Sequence, residues 1–133
     1  MSITQKIQVV WQIWVLQKGK IAQKGTPREV YKKPKNAQIA RLFGIINLLS
    51  EYQSNKLLNI KSPTGIWIEN VNITSKGVIK GYVKEVIFNG KNHKLLIFIN
   101  PDLELMAFDH HKTYRPRDLI QMTLNPKEII IFK

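Results

Sequence analysis

His93, His110 and His111, with the neighbouring Asp109, are the residues of this 133-residue chain best suited by type to hold a metal or to move a proton. Their spacing argues against either role. Adjacent histidines on a strand point to opposite faces, His93 is remote in sequence, and no helical H-E-x-x-H pattern is present. An exposed loop at Asp109-His110-His111 is the expected setting. The seven glycines, at 19, 25, 44, 65, 77, 81 and 90, include no pair with the spacing of a G-x-x-x-x-G-K-[ST] phosphate loop. No pair stands two apart, as a dinucleotide fingerprint requires, and no G-x-S-x-G elbow is present. Cysteine is absent, which excludes disulfides and thiolate zinc sites and fits a reducing compartment. Asn72-Ile73-Thr74 matches a glycosylation sequon, but nothing else points to secretion. No catalytic constellation can be assembled, so the expected catalytic, cofactor-binding and metal-binding residues are none. The chain itself is expected not to be an enzyme.

The elements that would position any site change character near residue 44. Before it, Gln12–Gln17 reads as a strand, Lys18-Gly19 as a tight turn and Lys20–Gln23 as the returning arm of a hairpin. Thr26, Pro27 and Glu29 form a capping-box pattern with a proline start, predicting a helix over Pro27–Lys33 that Pro34 stops. A second helix is expected from Asn36, with Ile39, Ala40, Leu42 and Phe43 on its apolar face and Gly44 as its stop. After Gly44 come short β-rich runs: Ile46–Tyr52, Lys56–Ile60, Gly65–Ile68, Val78–Phe88, Leu95–Ile99, Glu104–Phe108, Leu119–Leu124 and Glu128–Phe132. Turn signals separate them, with Asn89-Gly90 the strongest hairpin signal in the chain. Together they predict a mainly β chain, a small antiparallel barrel preceded by a hairpin and short helices. A faint echo, P-x-x-I-x-I, links Pro63–Ile68 with Pro126–Ile131.

Composition is compatible with a folded protein, since 44% of residues are hydrophobic. No apolar run approaches the ~18 residues of a membrane span. Met1–Val10 has no small-residue cleavage site and does not read as a secretory signal. The net charge is +12, and +8 of it falls on residues 1–43, where nine basic residues face only Glu29. Such asymmetry raises a single-stranded nucleic-acid binder as an alternative reading. Against it, Trp67, Tyr82, Phe88, Phe98 and Phe108 are scattered singly along apolar strands and are expected mostly to fill the core. No interleaving of basic and aromatic residues is evident after residue 43.

The run Ile13–Pro34 (IWVLQKGKIAQKGTPREVYKKP) resembles the end of the nucleotide-binding domain of importer-type ABC transporter ATPases, with their x-G-x-I-x-Q-x-G-T-P-x-E-[VIL]-Y-x-x-P pattern. The likeness continues through Asn36, Phe43-Gly44 and Asn47. The junction Gly44-Ile45-Ile46-Asn47 is nearest to the polyamine, sulfate and iron branches. The later segment Gly81–Gly90 is similar to the G-x-V-x-x-V-x-[FY]-x-G strand of the TOBE domain, an OB-like barrel that follows this junction in the maltose, spermidine/putrescine, sulfate and iron branches. Asp118–Phe132 is similar to its closing G-D-x-V-x-L-x-[VIL]-x-P-E-x-[VI]-x-[LIF]. Arg117 stands where glycine is usual there, and Lys127 where glutamate is usual.

This resemblance implies two parts: residues 1–43 as the C-terminal remnant of a nucleotide-binding domain, and residues 44–133 as a TOBE-type barrel. It implies a regulatory and dimerisation module of an ATP-binding subunit that drives solute import. ATP and magnesium would belong to the parent subunit, because the ATP site lies upstream of a segment like Ile13–Leu16. It further implies a homodimer through the barrel, contact with permease subunits, and a small ligand such as an oxyanion, or a regulatory protein, as a further contact. The setting would be cytoplasmic, at the inner face of the plasma membrane. Alternate positions of Leu95–Ile99 and Ile129–Ile131 are the expected barrel interior. Without the rest of a motor domain, the arm with Trp11 and Trp14 is expected to be poorly ordered or packed in a non-family way, such as a swap onto a second chain.

Overall fold

A computed structural model describes residues 12–88 and 90–133, and the readings of Met1–Val10, Trp11 and Asn89 lie outside that range. The chain divides into two compact units, 1–43 and 44–133.

In the first unit, strands β1 (Ile13–Gln17) and β2 (Lys20–Gly25) pair antiparallel, with Gln17 opposite Lys20. Lys18 (φ 53°) and Gly19 (φ 75°) form the two-residue turn between them. Positive φ at both positions suits the right-handed twist of a hairpin. Helix α1 (Pro27–Lys32) starts on the capping box read from sequence. The Thr26 hydroxyl accepts from the Glu29 amide at 3.1 Å, and the Glu29 carboxylate accepts from the Thr26 amide at 2.9 Å. Helix α2 (Ala37–Arg41) is capped by Asn36. The Gln23 amide ties the intervening loop by donating to the Lys33 carbonyl and accepting from the Lys35 amide. Val15, Val30 and Ile39 form a small core with Ile13, Ala22 and Phe43 beside it. Residues 12–43 are therefore locally packed by these six side chains and the caps and not poorly ordered, while Trp11 lies outside the described residues. Leu42, expected on the apolar face, is exposed, because α2 ends at Arg41 before another turn can bring it inward.

Hydrogen bonding from the Thr26 backbone amide, then from its hydroxyl, holds the Glu29 carboxyl below its ordinary value of 4.5. A carboxylate whose folded pKa is depressed stabilises above its unfolded pKa, and that contribution is lost as pH falls through the folded value. The Thr26 amide resonance should therefore titrate by NMR with a midpoint below 4.5. A midpoint at or above that value would contradict the cap.

The second unit is antiparallel throughout its sheets. A three-stranded sheet has the order β10 (Ile130–Ile131), β4 (Thr64–Trp67), β3 (Ile46–Leu49). A five-stranded sheet has the order β5 (Val71–Ile73), β9 (Leu119–Leu124), β6 (Ile79–Phe88), β7 (His93–Asn100), β8 (Leu103–Asp109). The expected mainly β, OB-like class is thus found. Residues alternate inward along these strands, with Leu95 and Ile97 on β7, Leu103, Leu105 and Ala107 on β8, and Ile120 and Met122 on β9 all buried. The β6–β7 hairpin forms at the predicted place, closing on the pair Phe88 and His93. The two echo segments lie side by side, with Gly65 opposite Ile130.

Three assignments differ from the sequence reading. Helix α3 (Glu51–Leu58) replaces the expected strands over the end of Ile46–Tyr52 and over Lys56–Ile60. Ser50 and Gln53 form a second capping box, and Asn59 ends the helix in the left-handed conformation (φ 58°). Leu57 and Leu58 then pack against the barrel core. The short edge strand β5 was not predicted. At the C-terminus a 3-10 turn, Pro126–Glu128, resets the alternation, so Ile130 is buried while Ile131 is half exposed. Only Ile129 of the expected interior pair packs against the core.

Arg117 has φ 79°, a backbone conformation that favours glycine, which is the residue usual at this place in the resembled pattern. It occupies the third position of a turn in which Pro116 is second and the Asp118 amide donates to the Arg115 carbonyl at 3.1 Å. That arrangement is a type II turn, whose third residue requires positive φ. The turn is anchored to β6, since the Arg117 amide donates to the Val83 carbonyl and the Val83 amide donates to the Asp118 carbonyl. Arg117→Gly is expected to raise stability by about 1 kcal/mol, the left-handed penalty less the added unfolded-state entropy. An unchanged or lowered urea midpoint would count against it.

Candidate functional site

The outer face of the five-stranded sheet carries the most distinctive surface of the barrel. Val83 points inward and is fully buried, so strand alternation turns Tyr82 outward, where it is 39% exposed. Its ring stacks on Phe98 of the neighbouring strand, with centroids 4.9 Å apart. Leu119 lies opposite Tyr82 on the other side and is 85% exposed. Leu96 and Met106 pair next along the same face, followed by Lys94 and Phe108. The row is bordered by Lys80 and by a Lys84–Glu104 ion pair of 2.7 Å. Hydrogen bonding to Glu104, then its charge, holds the Lys84 ammonium above its ordinary value.

The expectation that the aromatics mostly fill the core is therefore corrected. Trp67 is buried, but Phe88 and Tyr82 are exposed, and Phe98 and Phe108 are half-buried. The outward order Lys80, Tyr82, Lys84 also supplies the basic and aromatic interleaving that the linear reading missed. Its signal was period-two spacing on β6, masked by the inward Val83.

A second concavity, of about 480 Å³, is lined by Thr74, Ser75, Lys80, Tyr114, Leu119 and Gln121. The histidines do not converge. His93 sits on β7 opposite Asp109, while His110 and His111 are exposed beyond the end of β8. The Asp109 carboxylate instead accepts from the Thr113 and Tyr114 amides at 2.8 and 2.9 Å, shaping the loop. Among the described residues no group of three or more His, Cys, Asp or Glu could hold a metal ion. Asn72 of the sequon is exposed on β5. No helix among the described residues is long and apolar enough to cross a membrane.

Sequence reasoning also missed the role of Asn47 within the fold. Its side chain, 4% exposed, donates to the Met106 carbonyl at 3.0 Å and to the Ile66 carbonyl at 3.3 Å. It also accepts from the Met106 amide at 2.6 Å. A side-chain amide thus acts as a strand surrogate that bonds the three-stranded sheet to β8.

With this architecture in view, the chain is similar along most of its length to one class of protein, import ATP-binding proteins. The spermidine/putrescine import ATP-binding protein PotA of Clostridium novyi is 26% identical over 142 residues, covering 91% of this chain and 40% of that protein. The PotA of Aggregatibacter actinomycetemcomitans is 31% identical over 115 residues, covering 84% of this chain and 26% of that protein. A shorter match, to PotA of Haemophilus ducreyi, reaches 56% identity over 36 residues, 27% of this chain and 10% of that protein. The chain therefore spans two fifths or less of the length of these relatives. No protein-family model matches it.

Proposed function

We propose that this chain is the C-terminal regulatory and dimerisation portion of an ABC import ATP-binding subunit, with residues 44–133 a TOBE-type barrel. The single observation that carries the reading is the pairing of two facts. Similarity to a polyamine import ATP-binding protein covers 91% of the chain, yet the 133 residues contain no phosphate loop. In this reading the parent subunit binds ATP and magnesium and hydrolyses ATP to drive solute import, with spermidine and putrescine as the favoured solute class. It works against permease subunits at the cytoplasmic face of the membrane. The barrel joins two subunits, and a ligand or regulatory protein there affects transport only by binding one state of the dimer better than another.

The outer face around Leu119, Tyr82 and Phe98 is the surface offered for self-association, since it sets exposed apolar side chains among charges of both signs. Sedimentation of the full chain at micromolar concentration should show a dimer. Tyr82→Lys together with Leu119→Lys should weaken it by about tenfold or more. A monomer throughout that range would defeat the self-mating barrel.

One observation favours a second reading, an OB-fold single-strand nucleic-acid binder. The stacked Tyr82–Phe98 pair between Lys80 and Lys84 has the form of a base-stacking platform. Glu104 occupies Lys84, and the aliphatic Leu119 and Leu96 border the rings, which favours a protein contact. Titration with a labelled oligonucleotide at two salt concentrations separates the readings. Micromolar affinity with a steep salt slope would select the second.

A further inference from the structure

The cavity of about 480 Å³ on the five-stranded sheet gathers polar side chains that the fold itself does not use. Its floor is the outer side of the β6–β9 pair, where Lys80 lies opposite Gln121 and Leu119 is two residues along. Alternation places these three outward, because Ile79, Ile120 and Met122 are turned inward and buried. The β5–β6 loop adds Thr74 and Ser75, and the β8–β9 loop adds Tyr114. Both loops are held in place. The Thr74 amide donates to the Gln121 carbonyl at 3.0 Å, and the Tyr114 amide donates to the Asp109 carboxylate at 2.9 Å. Among the described residues, the side chains of Ser75, Lys80, Tyr114 and Gln121 make no hydrogen bond or ion pair within the chain. Unused polar groups that converge on a preformed concavity are the mark of a small-molecule site. We infer that this cavity binds a small phosphorylated, hydroxyl-rich molecule of the sugar phosphate class, a ligand role whose consequence for transport rests on the reading above.

Charge sets the sign of the ligand. The lining has one ammonium, Lys80, and no carboxylate. Lys76 and Arg115, each next in sequence to a lining residue, are exposed. The Asp118 carboxylate, beside Leu119 in sequence, is already engaged by the Arg115 amide at 2.8 Å. A polyamine would therefore meet like charge here. Lysine is a flexible point charge suited to a phosphate group. The hydroxyls of Thr74, Ser75 and Tyr114 and the Gln121 amide can each donate and accept, which matches the hydroxyl groups of a sugar. Leu119 and Ile120 supply an apolar patch for the C–H face of its ring. The volume falls in the range of small-molecule sites. A bare oxyanion would engage Lys80 yet leave most of the hydroxyl and apolar lining without contact, so the whole lining selects the larger ligand.

The test follows the backbone amide resonances of the full chain by NMR during titration with glucose 6-phosphate and with ribose 5-phosphate. At least one of them should give saturable shifts centred on residues 74–80 and 119–121, with half-saturation on the order of 0.1 mM. Glucose, ribose and inorganic phosphate should each bind at least tenfold more weakly, because each lacks part of what the lining recognises. Lys80→Met should weaken binding at least tenfold. Lys84→Met, which removes an ammonium paired with Glu104 instead, should leave it unchanged. Both lysines are exposed, so neither change disturbs the core. No saturable shift with either sugar phosphate overturns the inference, as does an affinity indifferent to Lys80→Met. Inorganic phosphate bound as tightly as the sugar phosphates, or spermidine bound in their place, also overturns it. Sedimentation of the same samples keeps the two readings apart. A chain that dimerises but binds neither sugar phosphate removes this site alone. One that binds but stays monomeric removes the self-mating barrel and leaves the site.

Discussion

Replacing Asn47 by leucine is expected to lower the stability of the barrel by about 3 kcal/mol, or roughly 15 °C in Tm. The side chain is buried and makes three hydrogen bonds to backbone groups of β4 and β8. Leucine fills a similar volume but leaves the Met106 amide and carbonyl without their partner. A buried unsatisfied group costs about 1–3 kcal/mol, whereas the hydrogen bond itself contributes less. Asn47→Asp should do more harm at neutral pH, because a carboxylate would face the Met106 and Ile66 carbonyls. Burial and those carbonyls would raise the folded pKa of the new carboxyl above its unfolded value. Stability should then recover as pH falls toward protonation and be lost as pH rises. Thermal melts of both variants across pH check this. A leucine variant melting within a few degrees of the parent would remove Asn47 as the link between the sheets.

Gly81→Ala is expected to be comparably damaging, at about 3 kcal/mol, and to reduce soluble yield. Gly81 lies on β6 between β9 and β7, opposite Ile120. A Cβ there would press into the Phe98 carbonyl oxygen, with Ile97 Cγ2 and Ile99 Cδ1 at 3.0 Å on either side. A backbone carbonyl held in a sheet ladder cannot turn aside as a flexible side chain can. The β6–β7 spacing must widen instead. The contrast is Gly25→Ala, whose Cβ would meet Glu29 Cβ and Val30 Cγ2 at an ordinary 3.5 Å. That variant should stay within about 0.5–1 kcal/mol of the parent. Equal urea midpoints for the two variants would contradict the packing argument.

Local chemistry was legible where neighbours in sequence are also neighbours in space. The Lys18-Gly19 turn, the Thr26–Glu29 capping box and the Asn36 cap each rest on contacts within a few residues. The Leu119–Leu124 strand was read with its observed bounds from alternation and turn residues alone. The Ser50–Gln53 box carried an equally local signal. It was overridden by the β-rich runs on either side, so helix α3 was read as strand.

Outward aromatics were harder to place. Tyr82, Phe98 and Phe108 look like core residues in a linear scan, and only the phase set by buried Val83, Ile97 and Ala107 puts them on the other face. The bulge between Val83 and Glu85 shifts that phase again, and nothing local announces it.

Composition, turn residues and period-two alternation in the amino-acid sequence were enough to define a mainly β chain with a basic leading segment, a short-stranded antiparallel barrel after Gly44, and no phosphate loop. These properties depend on residue type and short-range spacing. The joining of the two barrel sheets through Asn47, the glycine-demanding turn at Arg117, and the exposed apolar face of the five-stranded sheet were decided only in three dimensions. Each depends on groups distant in sequence, such as Asn47 with Met106 or Gly81 with Phe98, whose meeting follows from strand register and packing.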